Sequence, residues 1–175
     1  MPVSPKHIVI VKSLVFDAND YERFDVGYML DKGMRVTLVD VADIVIPESP
    51  RNREDYANWP SIDFRIATRR AELSGIFNAL TDADLVVNLV SDRHISARSL
   101  FALRAMGRMK APSLIISSEA HPGFVKNERA RLTIIDRIRG LPSRISRASF
   151  LNSLLARIPR QALGVRAADF VVHGG

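Results

Sequence analysis

The stretch "SLIISSEAHPGF" (113–124) gathers the side chains best suited to chemistry in this chain. An apolar run ends in Ser117, Ser118, Glu119 and His121, and a Pro-Gly turn follows. Two hydroxyls, a carboxylate and an imidazole so close together can bind a polar substrate. Glu119 or His121 could take the proton of a hydroxyl acceptor. The pattern Gly-x-Ser-x-Gly is absent, so a hydrolase triad has little support. Serines at a strand end also often do no more than satisfy backbone groups, and that reading stays open beside the functional one.

A second cluster, "NLVSDRH", holds Asn88, Ser91, Asp92, Arg93 and His94. Arg93 and His94 before a helix start could hold an anion, since helix N-termini present free amides. Ser91 or Asp92 could equally cap that helix. "DAND" (17–20) offers two carboxylates, but a solvated loop with a helix cap explains it better, and no metal site is expected. Asp40 sits where a ribose-binding acid would follow a second strand. No Gly-x-Gly-x-x-Gly or Walker loop accompanies it, so ordinary nicotinamide or P-loop chemistry is not expected, and neither is a cofactor. His173 precedes two glycines, which would let a ligand or a tight turn approach the backbone.

Charge is distributed unevenly. The formal net charge is +6, yet positions 126–166 carry ten Lys/Arg against two acids, a local +8, and the remainder is −2. Within that segment "ISRASFLNSLLARIPRQALGV" sets Phe150, Leu151, Leu154, Leu155 and Ile158 on one side, with Arg144, Arg147, Arg157 and Arg160 around them. Such a helix could press on an anionic membrane surface, or turn its apolar side to a core and its basic face to water. Aromatics scarcely interleave with the arginines, so nucleic acid is not an expected partner.

These groups must be held by elements that the hydrophobic pattern outlines. "HIVIVKSLVF" (7–16), "MRVTLVDV" (34–41), "DADLVVNLV" (82–90), "PSLIISS" (112–118) and "ADFVVHGG" (168–175) read as five buried strands. Helical spacing is expected after Asp20 up to a stop at Gly33, over 63–80, from about Ser96, over 127–138 and over 146–158. "IPESPRNREDYANWP" (46–60) reads as a polar loop bracketed by prolines. Strands alternating with helix-length connections predict an α/β chain: one three-layer Rossmann-like domain, 1–175, on a mostly parallel sheet of about five strands. Ligands are then expected beyond the carboxyl ends of the strands. The absence of cysteine fits a reducing compartment, the opening residues do not read as a signal peptide, and no run approaches the length of a membrane span. A cytoplasmic address, peripheral at the inner face of the membrane, is the expectation.

The phrases "HIVIVKSL", "LDKGMRVTLVDV", "DADLVVNLV", "PSLIISS" and "ADFVVHGG", in that order, resemble the N-terminal Rossmann-like half of GT-B glycosyltransferases, in particular bacterial enzymes that build surface polysaccharide. The resemblance implies that this chain is the N-terminal half of a longer two-domain protein and shapes the acceptor site. A C-terminal domain would bind most of the nucleotide-sugar donor. The full protein would transfer a sugar to a hydroxyl of a saccharide or lipid-linked acceptor, without a bound metal. The residues expected to line that cleft are Asn88, Arg93, His94, Ser117 and Ser118, with His121 or Glu119 as base, and Arg144, Arg147, Arg157 and Arg160 as the membrane patch. The glycine-rich first loop of many such enzymes is missing here. The alternative expectation is a noncatalytic binding or regulatory module docked on a membrane through its basic helix.

Overall fold

The computed structural model describes residues 5–48, 53–90, 96–117 and 158–173, together with Asn152 and Leu155. It is a three-layer, Rossmann-like α/β fold. Strands β1 (His7–Lys12), β2 (Arg35–Asp40), β3 (Asp63–Ile66), β4 (Asp84–Asn88), β5 (Ser113–Ser117) and β6 (Phe170–His173) form one sheet. Their order is β3-β2-β1-β4-β5-β6, and every neighbouring pair is parallel. The direction of travel reverses between β1 and β4, which is where a doubly wound sheet opens a crevice.

Parallel strands need crossovers, and the crossovers cover both faces of the sheet. Alternation along β1 sends Ile8 and Ile10 to one face and Val9 and Val11 to the other. The first face is covered by α1 (Ala18–Arg23) and α2 (Val26–Asp31), through Phe24 and Val26, and by Phe16. The second is covered by α3 (Ala42–Val45), α4 (Arg70–Asn78) and α5 (Ala97–Gly107), through Leu73, Phe77, Leu103 and Met106. Each such buried aliphatic or aromatic side chain stabilises the fold by about 1.5–3 kcal/mol before entropy is set against it.

Two sequence expectations change. The segment 63–80 does not form one helix: its first four residues are the edge strand β3, and α4 starts at Arg70. "DFRI" alternates charged and apolar side chains, the pattern of a strand rather than a helix, and β3 adds a sixth strand to the sheet. Its charged residues also keep that edge from pairing with another chain. The helix after β1 starts one turn earlier than Asp20. Asp17 is its N-cap, accepting from the Asp20 amide at 3.0 Å, and Asp20 returns the bond to the Asp17 amide at 3.1 Å. That reciprocal capping box uses both carboxylates of "DAND". The helix then breaks at Asp25, a non-glycine residue at φ 51°, and resumes as α2.

Gly33 ends α2 as expected. At φ +72° its N–H bonds the Leu30 carbonyl at 2.8 Å, and the Met34 N–H bonds Met29 at 3.0 Å, the paired closure of a Schellman motif. The expected helices over 127–138 and 146–158 lie outside the described residues, except that Asn152 and Leu155 are helical and Leu155 packs on the second core face.

No atom lies within 4 Å of the Cβ that alanine would place at Gly33, so the cost of Gly33→Ala is conformational only. Chemical denaturation should show a loss of about 1 kcal/mol with an unchanged m-value. An unaltered midpoint would mean that the left-handed turn does not limit stability.

Candidate functional site

The carboxyl ends of the strands place Lys12, Asp40, Asn88, Ser117 and His173 along one rim of the sheet. The residues of this rim differ in what their side chains are already doing.

Lys12 is turned inward at the end of β1. Its ammonium pairs with Asp20 and donates to the Val15 carbonyl at 3.1 Å. The loop behind it carries Phe16, which is fully buried and meets the edge of Trp59 with ring centroids 5.7 Å apart. Tyr21 stacks on Trp59, the two rings nearly parallel with centroids 5.7 Å apart. Where a dinucleotide fold places glycines and a pyrophosphate, this chain places an ion pair and a packed aromatic cluster.

Asp40 is the most committed group on the rim. It has no solvent exposure. Its Oδ1 accepts the Ala42 amide at 2.8 Å, and its Oδ2 accepts Arg53 Nε at 2.8 Å and the Tyr56 hydroxyl at 3.0 Å. Arg53 also donates to Asp43 at 3.1 Å. Partial burial opposes the Arg53 charge, but hydrogen bonds and attraction from Asp40 and Asp43 outweigh it and hold the guanidinium above its already high ordinary pKa. Burial, reinforced by the Asp40 carboxylate, pushes the Tyr56 phenol up to about 12. Tyr56 further accepts the Phe16 amide at 3.4 Å and so ties the β2 end to the β1 loop. The place of a ribose-binding acid is therefore occupied by an internal ion pair. Both partners come from the 46–60 loop, Tyr56 on a short 3-10 helix (Glu54–Asn58) that follows Arg53. Sequence reading missed them, and the alternation of charge and aromatic residues in "RNREDYANW" was the available signal.

Asn88 is buried between Val11 and Ile115 of the neighbouring strands. Its Oδ1 accepts the Val90 amide at 2.9 Å, which turns the chain at the switch point. Beyond that bond Asn88 has its amide nitrogen and a second Oδ1 lone pair to offer. In the backbone register Ser117 stands beside His173. Arg160 is exposed on the turn before β6. Arg93, His94, Ser118, Glu119, His121, Arg144, Arg147 and Arg157 lie outside the described residues. Among the described residues, no group of three or more His, Asp or Glu side chains could hold a metal ion.

The amino ends of the strands carry a second polar cluster that sequence reading did not single out. His7 Nδ1 lies 2.6 Å from Asp84 Oδ1, and Nε2 lies 2.9 Å from Thr37 Oγ1. Thr37 also reaches Asp63 Oδ2 at 3.2 Å, and Arg65 donates to that same oxygen at 2.9 Å. Asp84 Oδ2 accepts the Thr81 amide at 2.7 Å and the Thr81 hydroxyl at 2.9 Å. Burial works against the Asp84 charge, yet the bonds from Thr81 and His7 hold its carboxyl below the usual range. The signal was present: His7 and Asp84 are polar residues at the first position of strands whose interior positions are all apolar.

Comparison of the chain with protein-family models, with curated proteins and with solved structures returned no match. Among the described residues no helix is long and apolar enough to cross a membrane.

Replacing Asp40 by Asn keeps an acceptor for Ala42 and removes the charge that holds Arg53 and Tyr56. The expected loss is about 2 kcal/mol, below that of a fully buried pair because Arg53 is partly exposed. Phenolate absorbance should show Tyr56 titrating below about 12 in the variant, though still above the ordinary 10, because burial persists. A raised phenol pKa means that the folded protein keeps a proton that the unfolded chain loses. That stability is complete below pH 10 and disappears as pH rises from about 10 to about 12. Identical alkaline transitions in wild type and Asp40→Asn would contradict the ion-pair assignment.

Proposed function

We propose that this chain is the acceptor-side domain of a GT-B glycosyltransferase that moves a sugar from a nucleotide donor to a hydroxyl acceptor in cell-envelope polysaccharide synthesis. The observation that carries this reading is the asymmetry of the carboxyl rim. The β1–β2 half, where a dinucleotide would lie, is filled by the Lys12–Asp20 pair, Phe16 and the Asp40–Arg53–Tyr56 cluster. Among the described residues the half formed by β4, β5 and β6 carries Asn88 and no such cluster, and the basic connection between β5 and β6 departs from it.

Two further features support the reading. The 3-2-1-4-5-6 parallel order is that of a doubly wound sheet, which binds ligands at the carboxyl ends of its strands. The β6 edge also leaves Phe170, Val171 and Val172 about half exposed, on both faces of an edge strand. A sheet edge is ordinarily blunted by charge, as β3 is here; among the described residues no strand pairs beyond β6, and its exposed apolar side chains suit contact with a further domain. On this reading His121 or Glu119 takes the acceptor proton, and Asn88, Arg93, His94, Ser117 and Ser118 orient the acceptor. Arg144, Arg147, Arg157 and Arg160 bring the domain to an anionic membrane that carries the lipid-linked substrate.

The test is transfer of labelled sugar from nucleotide donors to envelope lipid acceptors by the polypeptide translated through the codons that follow Gly175. Losing a general base typically costs 10²–10⁴ in rate, so His121→Ala or Glu119→Ala should slow turnover by about a hundredfold or more. Undiminished turnover in both variants would remove the base assignment. A stop codon after Gly175, with no transfer from any donor, would instead favour the noncatalytic module.

A further inference from the structure

The amino rim of the sheet, opposite the carboxyl rim, holds a recess of about 130 Å³ beneath the end of α4. Its polar wall is the cluster of His7, Thr37, Asp63 and Asp84 with Arg35 and Arg65, and its apolar wall is Val9, Ile76, Ala79 and Leu80. The charges of this wall are not all used. Asp84 is taken by Thr81 and His7. Asp63 Oδ2 is taken by Arg65 and shared with Thr37.

Arg35 stands apart. It forms no ion pair with a carboxylate among the described residues. Its one side-chain contact there sets a guanidinium nitrogen 3.0 Å from His7 Nδ1. That nitrogen is already 2.6 Å from Asp84 Oδ1, an ionised acceptor, so hydrogen-bond geometry assigns the Nδ1 proton to the bond with Asp84. Arg35 therefore points an N–H at a nitrogen that has no lone pair to offer. Arg35 is exposed, and a guanidinium fork at the mouth of a recess that meets no carboxylate among the described residues is suited to one planar oxyanion held by two parallel bonds.

The neighbours restrict which oxyanion fits. Asp63 and Asp84 flank the site, and the carbonyl end of α4 closes it, so a dianion is disfavoured against a monoanion. The apolar wall needs a ligand with an aliphatic part. A cavity of roughly 150 Å³ takes a benzene ring, and this recess therefore accepts about six non-hydrogen atoms.

We propose that this recess binds a short-chain aliphatic monocarboxylate of the size of butyrate, with its carboxylate on the Arg35 guanidinium and its alkyl chain against Val9, Ile76, Ala79 and Leu80. Such a ligand joins the amino ends of β1 and β2 to the end of α4. The site lies on the other rim from the transferase cleft, so the fate of either reading leaves the other standing.

The experiment is a titration of the ¹⁵N-labelled chain with sodium butyrate against sodium chloride at matched ionic strength, followed by amide shifts. Saturable shifts are expected at Arg35, Thr37 and Leu80. Arg35→Gln should weaken binding at least tenfold, and Arg35→Lys, which keeps the charge and loses the fork, should weaken it less. Arg65→Gln should bind like wild type, because Arg65 is already paired with Asp63 and half exposed. Octanoate should bind more weakly than butyrate, and butanol and inorganic phosphate should leave these amides unmoved. No saturable response to butyrate, an equal response in both Arg35 variants, or an equal response to butanol or phosphate would overturn the assignment. The same spectra report whether each variant is folded.

Discussion

Covering a parallel sheet on both faces forces the central strands to be apolar along almost their whole length, and everything else in this molecule follows from where polar groups are still allowed. In β1, β2 and β4 the interior positions are Val, Ile and Leu, with Thr37 the polar exception, packed between α1–α2 on one side and α3–α5 on the other. Buried polar groups survive only where they find partners, and partners are available at the two rims, where loops and helix ends arrive. His7 and Asp84 stand at the amino rim, and Asp40 and Asn88 at the carboxyl rim. All four are hydrogen-bonded.

The two halves of the carboxyl rim were put to different uses. At the ends of β1 and β2, charged and aromatic side chains close on one another: Lys12 on Asp20, Phe16 and Tyr21 on Trp59, and Asp40 on Arg53 and Tyr56. A dinucleotide would have to displace a buried carboxylate from a cation and a phenol at once. At β4 and β5 the only described side chain of this kind, Asn88, accepts the Val90 amide in a turn through its carbonyl. The proposed acceptor site rests on that contrast. The amino rim holds a different kind of surplus, since Asp63 and Asp84 have protein partners and the exposed guanidinium of Arg35 pairs with no carboxylate among the described residues.

Much of this was legible in the chain itself. Runs such as "HIVIVK" and "RVTLVD" are too apolar and too β-branched to be anything but strands buried on both sides. Gly33 marked a helix end because only a left-handed residue closes a Schellman turn without strain. Strand-helix alternation then required parallel crossovers of one hand. The strand β3 was not legible as such, because four residues of alternating character ran directly into a helical pattern and were absorbed by it. Asp17 and Asp20 had the right spacing for a cap, but which of them was the cap depended on where β1 released the chain.

The sequence by itself determined the fold class, because burial on two faces leaves its mark on every residue of a strand, and that mark is local. Tertiary structure alone decided which polar residues are free to act. Asp40 and Arg53 are 13 residues apart, His7 and Asp84 are 77 apart, and Arg35 reaches His7 across 28. Whether a charge is spent or available depends on the partner that the sheet brings beside it, and no periodicity along the chain records that meeting.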